Sequence, residues 1–388
     1  MLSADALLDD ARIASGLDDY GPMDFAEGLR VLVKSINEES GLTAANAARY
    51  GEELLRLLVN RLRMRRDIVR HPEILNEQIL PPVFITSLPR TGSTKLHRML
   101  GASGDFNSMK FWQAYQFARI EDGPVSGPDP RIAEAEHFLA GLKQRAPGYL
   151  EYHPMFADET EEEHILLDAG FNSLYQHAAF LNVPSYIGWV MALDRSVMFD
   201  ELRRMLQYLQ WQHYRGSGIE SKRRWILKTP GLLGTEGALA EAFPGTDFIV
   251  THRHPAKIMP TTAALFCGTL EMYNTTVDKQ MAGNVMLGNF GYTVQRHLEW
   301  RATYPAHKVR DVRFDDIVNR DVDVLAGLYD FLGMPFTDTS RANVEAWLKR
   351  DAARRDQSQP RQLAEFGLDD ATVNNTFAAY IGRYHDFL

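Results

Sequence analysis

The sequence predicts an α/β protein: a parallel sheet with much added helix. Three observations carry this prediction. Apolar, strand-like runs stand at 83–86, 225–228 and 248–251. The first leads through a turn-rich loop into helical spacing at Leu96, Met99 and Leu100. The second and third enclose a short helix, about 232 to 243, that stops at Pro244-Gly245. Such a strand–helix–strand unit implies a parallel pair joined by a right-handed crossover.

The elements follow in order. Residues 1–80 read as helical: Leu54, Leu55, Leu57, Leu58 and Leu62 sit among Glu52, Arg56, Arg61 and Arg65 close to a 3.6-residue period. This region is expected to pack on the core as an N-terminal helical layer, with 81–388 forming the α/β domain, so that the chain is effectively one domain. Pro81-Pro82 ends any helix before the first strand. Residues 121–130, with Gly123, Pro124, Gly127, Pro128 and Pro130, read as a loop. Helical spacing dominates 131–215. A further strand-like stretch, 308–312, precedes a terminal helical region.

Composition narrows the function. Hydrophobic residues make up 45% of the 388 residues, enough for a sizeable core and too much for a disordered chain. The net charge of −9 argues against nucleic acid as a partner, because such a protein carries a basic excess or tail. The single cysteine, Cys267, excludes an intramolecular disulfide and any cysteine-based metal cluster. The N-terminus is acidic where a signal peptide would be basic, and no apolar run approaches the ~18 residues of a membrane span. A cytoplasmic protein is therefore expected.

Against this acidic background, two windows contain no Asp or Glu. One, 81–104, holds Arg90, Lys95, His97 and Arg98; the other, 248–270, holds His252, Arg253, His254 and Lys257. Both begin with a predicted strand, and open α/β sheets bind ligands beyond the carboxyl ends of their strands. The pattern predicts a ligand with two anionic groups. In the first loop, Gly92 allows close backbone approach, and the N–H groups that follow converge at a helix N-terminus where the dipole favours an anion. Ser93 and Thr94 add hydroxyls, and Arg90 adds a fixed charge able to bind in a fork. The nucleotide-triphosphate pattern Gly-x-x-x-x-Gly-Lys-Ser/Thr is not met: Ser87 holds the first glycine position, and Ser93 follows Gly92 with no lysine between.

Residues 84–94, Phe-Ile-Thr-Ser-Leu-Pro-Arg-Thr-Gly-Ser-Thr, resemble the 5′-phosphosulfate loop of sulfotransferases that use 3′-phosphoadenosine 5′-phosphosulfate (PAPS). Residues 251–255, Thr-His-Arg-His-Pro, with Thr261 eight residues after Arg253, resemble the family's 3′-phosphate motif. Residues 225–230 and 312–317 also match its bacterial branch, and the resemblance extends over nearly the whole chain. It departs at Ser87, where glycine is common, at Ser93 and Thr261, where the partner hydroxyl residue is common, and at Lys95, where an apolar residue is usual.

The resemblance implies a P-loop-like three-layer fold with a central parallel sheet and extra N-terminal and inserted helices. It implies transfer of a sulfuryl group from PAPS, as co-substrate, to a hydroxyl or amine of a small-molecule, lipid or glycan acceptor, and no metal. Pro89, Arg90, Thr91, Gly92, Ser93, Thr94, Arg253 and Thr261 become the donor-binding set. Arg90 would neutralise charge on the leaving phosphate oxygen, and Lys228 would point into the same cleft. The general base is open between His153 and the acids that follow it. Glu163 precedes the apolar run 165–167 and is expected to face inward; the remainder of the acidic run 158–163 is expected to be a wet helix face. His252 and His254 are read as walls of the donor site, since no third metal ligand accompanies them. Lys95 is expected to face water. Two other readings remain. A small-molecule kinase would need a P-loop lysine and a strand-end Asp for Mg²⁺, whereas the strands end in Lys228 and His252-Arg253. A non-catalytic nucleotide-binding protein would be expected to have lost part of the loop.

Overall fold

The computed structural model describes residues 1–121, 127–215, 223–274, 276–354 and 359–388. Residues 122–126 of the predicted loop lie outside the described residues. Four strands, β1 (Val83–Ser87), β2 (Ile226–Lys228), β3 (Asp247–His252) and β4 (Val309–Arg313), form one sheet in the order β2-β1-β3-β4, with every pair parallel. Val83 is the common point of register, opposite Ile226 on one side and Asp247 on the other. β1, β2 and β3 are buried throughout, as their uninterrupted apolar runs require. β4 is the exposed one of the two edge strands: Val309 and Val312 are buried while Arg310 and Arg313 face solvent.

The alternation of side chains along the strands splits the core into layers. Val83 and Ile85, with Ile226 and Ile249, pack against Leu96, Met99 and Leu100 and against Tyr329 and Trp347 near the C-terminus. Phe84 and Phe248 point the other way, into a larger cluster that includes the N-terminal helices α1 (Ala4–Ser15), α2 (Phe25–Glu39) and α3 (Ala44–Arg70). Leu54, Leu57, Leu58 and Leu62 of α3 are buried there, on the predicted stripe, whereas Leu55 is only half-buried. α3 starts on the Thr43 side chain, which accepts from the Asn46 N–H, and ends at His71 before Pro72. Arg61 fixes it to the inserted segment by donating to the Ala169 carbonyl at 2.8 Å.

Four further helices matter for the site: α4 (Ser93–Ser103), α5 (Phe111–Tyr115), α6 (Pro130–Arg145) and α7 (Pro147–Tyr152). Among the described residues no helix is long and apolar enough to cross a membrane.

Candidate active site

In the strand order β2-β1-β3-β4 the chain first steps to one side of β1 and then returns past it. The topology therefore reverses between β1 and β3, where open α/β sheets place their ligand crevice. The loop after β1 is pinned across this gap. Thr91 Oγ1 donates to the Leu88 carbonyl at 2.8 Å and shares a 2.7 Å hydrogen bond with Thr251 Oγ1 on β3. Arg90 takes a left-handed backbone at φ 65°, which costs a non-glycine residue about 1–3 kcal/mol and aims its side chain away from the strand. Gly92 is required twice over. Its φ is 84°, and a Cβ there would sit 3.2 Å from the Phe314 ring. α4 begins immediately afterwards with no side-chain cap among the described residues, which leaves its first N–H groups to a partner other than a capping side chain. Pro89, Thr91 and Ser93 are buried, and the buried Ser87 hydroxyl has no hydrogen-bond partner among the described residues.

Two guanidinium groups stand over this gap. Arg90 donates to the Tyr152 carbonyl at the end of α7, and Arg253 lies 3.9 Å over the Phe314 ring with one nitrogen 3.4 Å from the Arg90 carbonyl. Neither makes an ion pair among the described residues. Burial lowers the pKa of both below the usual arginine range, and the charge of Arg253 adds to the effect at Arg90. Both remain cations at any physiological pH. Thr261 sits two turns along the helix Pro255–Glu271, half-buried, with its hydroxyl turned back to the Ile258 carbonyl at 3.1 Å. No contact joins it to Arg253 among the described residues.

The acidic segment is not a wet face. Asp158 is exposed, but Glu159, Glu161, Glu162 and Glu163 are all buried. The cations that permit this come from elsewhere in the chain. Lys228, at the end of β2 with its side chain 1% exposed, forms a close ion pair with Glu162 and donates to Thr94 Oγ1 at 3.1 Å. Arg98 of α4 reaches Glu161 at 3.4 Å, and His153 Nε2 lies 3.3 Å from the other oxygen of that carboxylate. Burial opposes ionisation of both acids, but the neighbouring charges prevail. Glu161 is held down to about 2 by His153 and Arg98, and Glu162 well below the carboxylate range by Lys228 and His164.

Glu163 differs. It does face inward, with one oxygen accepting from the Lys228 backbone N–H at 2.8 Å and the other without a partner among the described residues. Burial raises its pKa to about 7. His153, Glu161 and Glu162 each bring one ligand-type atom within 4.8 Å of the others, although Arg98 and Lys228 already balance the two carboxylates.

Three expectations need correction. His252 is not a wall of the crevice: it is fully buried, bridging Tyr380 at 2.8 Å and Asp311 at 2.9 Å on the C-terminal side of β3. Thr251 faces the loop, and alternation along the strand turns the next side chain away. His254 caps its own helix by accepting from the Ala256 N–H. Lys95 faces neither water nor the crevice but holds Asp321 at 3.0 Å and the Ile317 carbonyl at 3.0 Å.

Fold and crevice together define an open α/β protein with a cationic switch point and a buried, charge-balanced His–carboxylate cluster beside it. The chain belongs to the sulfotransferase family, whose model matches residues 81–338. Its structure is similar to the sulfotransferase STF1 from Mycobacterium tuberculosis H37Rv, with a TM-score of 0.79 and 27% identity over 97% of this chain and 99% of that one. It also resembles STF9 from Mycobacterium avium in fold, with a TM-score of 0.84 and 23% identity over 99% and 97% of the two chains. No curated protein matches by sequence.

Proposed function

We propose that the protein is a cytoplasmic, PAPS-dependent sulfotransferase that moves a sulfuryl group to a hydroxyl of a small-molecule acceptor. The observation that carries this is the pair of unneutralised guanidiniums, Arg90 and Arg253, on either side of the β1/β3 gap. Two cations held close, neither of them in an ion pair among the described residues, call for a ligand with two anionic ends. The start of α4 and the Ser87 hydroxyl, both without a side-chain partner among the described residues, fit the same ligand.

In this reading residues 89–94 hold the 5′ side of the donor, and Arg253 with Thr261 holds the 3′-phosphate. When bound, the donor supplies an activated sulfuryl group whose transfer needs in-line positioning and charge stabilisation rather than covalent help from the protein. Arg90 and Lys228 stabilise charge arising on the leaving side, each as an electrostatic donor. His153 takes the acceptor proton. Its Nε2 faces Glu161, which leaves Nδ1 free to accept, and the Glu161 carboxylate stabilises the imidazolium that results. Glu163, with one oxygen on the Lys228 backbone N–H and the other without a partner among the described residues, is the alternative base.

Calorimetry tests the donor half. Adenosine 3′,5′-bisphosphate should bind without Mg²⁺, and ATP should compete poorly. Mass spectrometry should then find an acceptor heavier by one sulfuryl group with PAPS, and Arg90→Ala should lower kcat far more than donor affinity. Tight Mg·ATP binding with phosphorylated product would overturn the reading in favour of a kinase.

A further inference from the structure

A second cleft opens further along α4, past the loop at the β1/β3 gap. Arg98, Gly101 and Ala102 line it from one face of α4. Asn343, Trp347 and Arg350, also at helical spacing, line it from the helix Asp338–Arg354, which packs against α4. Asn343 ties the two helices together by donating to the Ser103 carbonyl at 3.0 Å. Lys110 at the start of α5 and residues 158–160 close the remaining sides. Gly101 lets that segment approach, because a Cβ there would collide with the Thr160 hydroxyl. The cleft has a volume of about 250 Å³. Drug-sized ligands occupy sites of roughly 300–1,000 Å³, so this volume suits a smaller one. None of residues 87–94, Arg253 or Thr261 lines it.

The lining is polar, and its carboxylates are already in use. Glu159 accepts from the Trp347 indole N–H at 2.9 Å and pairs with Arg354 at 3.4 Å. Asp158, largely exposed, turns to the same Arg354 at 3.8 Å. The cations are less committed. Lys110 and Arg350 make no ion pair among the described residues. Arg98 has its side chain 6% exposed. Its Nε and Nη2 donate to the Thr160 and Pro154 carbonyls at 3.3 and 2.9 Å, and Nη2 reaches Glu161 at 3.4 Å, while Nη1 makes no hydrogen bond among the described residues. Arg98, Lys110, Arg350 and Arg354 together outnumber Asp158, Glu159 and Glu161. Burial lowers the Lys110 pKa below the usual lysine range; Glu159 and Asp158 oppose this, and the charges of Arg350 and Arg98 add to it. An apolar ligand would strip water from these head groups without replacing its hydrogen bonds, and a cation would be repelled by them.

We propose that this cleft is a binding site for a small divalent oxyanion: inorganic phosphate or sulfate, or the phosphate monoester of a small molecule. Lys110 and Arg350 supply its two counter-charges, and Arg98 Nη1 donates from the buried end. The same guanidinium holds Glu161, so an occupant shares Arg98 with the carboxylate beside His153. The site lies outside the donor crevice and does not depend on the sulfuryl-transfer reading.

The test is calorimetry on the full chain at pH 8 and fixed ionic strength, with inorganic phosphate titrated in the presence of excess adenosine 3′,5′-bisphosphate. Saturable binding is expected, weakened about tenfold or more by Lys110→Met. Arg350→Gln should weaken it about threefold or more, because that head group is exposed. For the same reason Arg350→Gln keeps the test open if Lys110→Met does not fold. Nitrate, with one charge, should bind roughly tenfold more weakly than phosphate. Tighter binding of phenyl phosphate than of inorganic phosphate would make a monoester the ligand; the opposite order would make it the free anion. Undetectable phosphate binding, or binding that neither variant weakens, overturns the inference. So does a phosphate signal seen only without the nucleotide, since that signal belongs to the crevice. If the nucleotide itself does not bind, the donor reading fails alone, and the phosphate titrations of the two variants still decide this one.

Discussion

Glu163 offers the most direct test of how the site handles charge, through the substitution Glu163→Gln. The carboxyl is fully buried, accepts one hydrogen bond from the Lys228 N–H, and has its pKa raised by burial from 4.5 to about 7. Between those two values the folded protein holds a proton that the unfolded chain has released. Stability then falls as pH rises, because the native state is the one binding more protons. The contribution is fully present below pH 4.5 and lost once pH has risen through about 7. Each pKa unit is worth about 1.4 kcal/mol, so the whole change amounts to about 3 kcal/mol. Gln keeps the acceptor for Lys228 and removes the titration. Urea unfolding of both proteins at pH 4.5, 6, 7 and 8 should therefore show the variant gaining on the wild type by about 3 kcal/mol across that range, with nearly all of the gain in by pH 7. Other titrating groups are common to both proteins and cancel in the difference. A flat difference across pH would show that Glu163 is ionised throughout and that its burial is not what governs it. The same variant should retain the limb of the pH–rate profile that rises with pH on the acid side, which His153→Ala should abolish; the reverse pattern would make Glu163 the base.

Three other expectations follow from the same geometry. Arg253→Ala should cost roughly 1.5–3 kcal/mol of donor binding, about tenfold or more in Kd, and erase the preference for a 3′-phosphate over a 3′-hydroxyl, measured by calorimetry with the two nucleotides. Glu162→Gln should destabilise the fold by about 3–5 kcal/mol because it strands the buried Lys228 ammonium; chemical denaturation should show Glu162→Gln/Lys228→Met recovering much of that loss while turnover stays low. His97, whose Nε2 donates to the Ile226 carbonyl at 3.1 Å, has its pKa pushed down by burial from 6.5 to about 3. Its stabilising contribution is present above pH 6.5 and lost as pH falls from there towards 3, so acid titrations followed by circular dichroism should show His97→Gln losing less stability than wild type between pH 7 and 4.

The legible parts of the sequence were those set by local backbone rules. The apolar strands, the Pro81-Pro82 break and the Arg-Thr-Gly-Ser-Thr loop all depend on neighbours within a few residues, and the structure places each where periodicity and turn chemistry put it. The two acid-free windows pointed to a cationic crevice, which Arg90 and Arg253 provide. Of their companions, Lys95 and Arg98 are paired with Asp321 and Glu161, and His97 with a carbonyl. A one-dimensional charge count cannot see such partners, because they arrive from 63 to 226 residues away. The same blindness explains the acidic run 158–163. Five acids in six residues read as solvated until Arg98 from α4 and Lys228 from β2 converge on them. His252 failed for a different reason: strand-end placement was read correctly, but the face of the strand was not. Tyr152 and Phe314, which touch the two arginines, and Thr251, which holds Thr91, carried no signal of their own beyond lying in or beside matched segments.

The distribution of compensated and uncompensated charge divides the site in two. Around His153, the negative charges of Glu161 and Glu162 are met by Arg98 and Lys228, so a proton arriving on the imidazole adds a cation next to the Glu161 carboxylate and is stabilised there. Around the β1/β3 gap, Arg90 and Arg253 make no ion pair among the described residues, and the charge of Arg253 opposes that of Arg90. Thr94 joins the halves: its backbone belongs to the start of α4, and its hydroxyl accepts from Lys228, which also holds Glu162. An anion drawn to the arginine half would compete with Glu162 for the Lys228 ammonium. Loss of that partner would raise the basicity of the carboxylate cluster beside His153 at the step when a proton must be accepted. On the proposed reading, donor binding and proton acceptance would in this way be coupled through one lysine, the buried Lys228 at the end of β2.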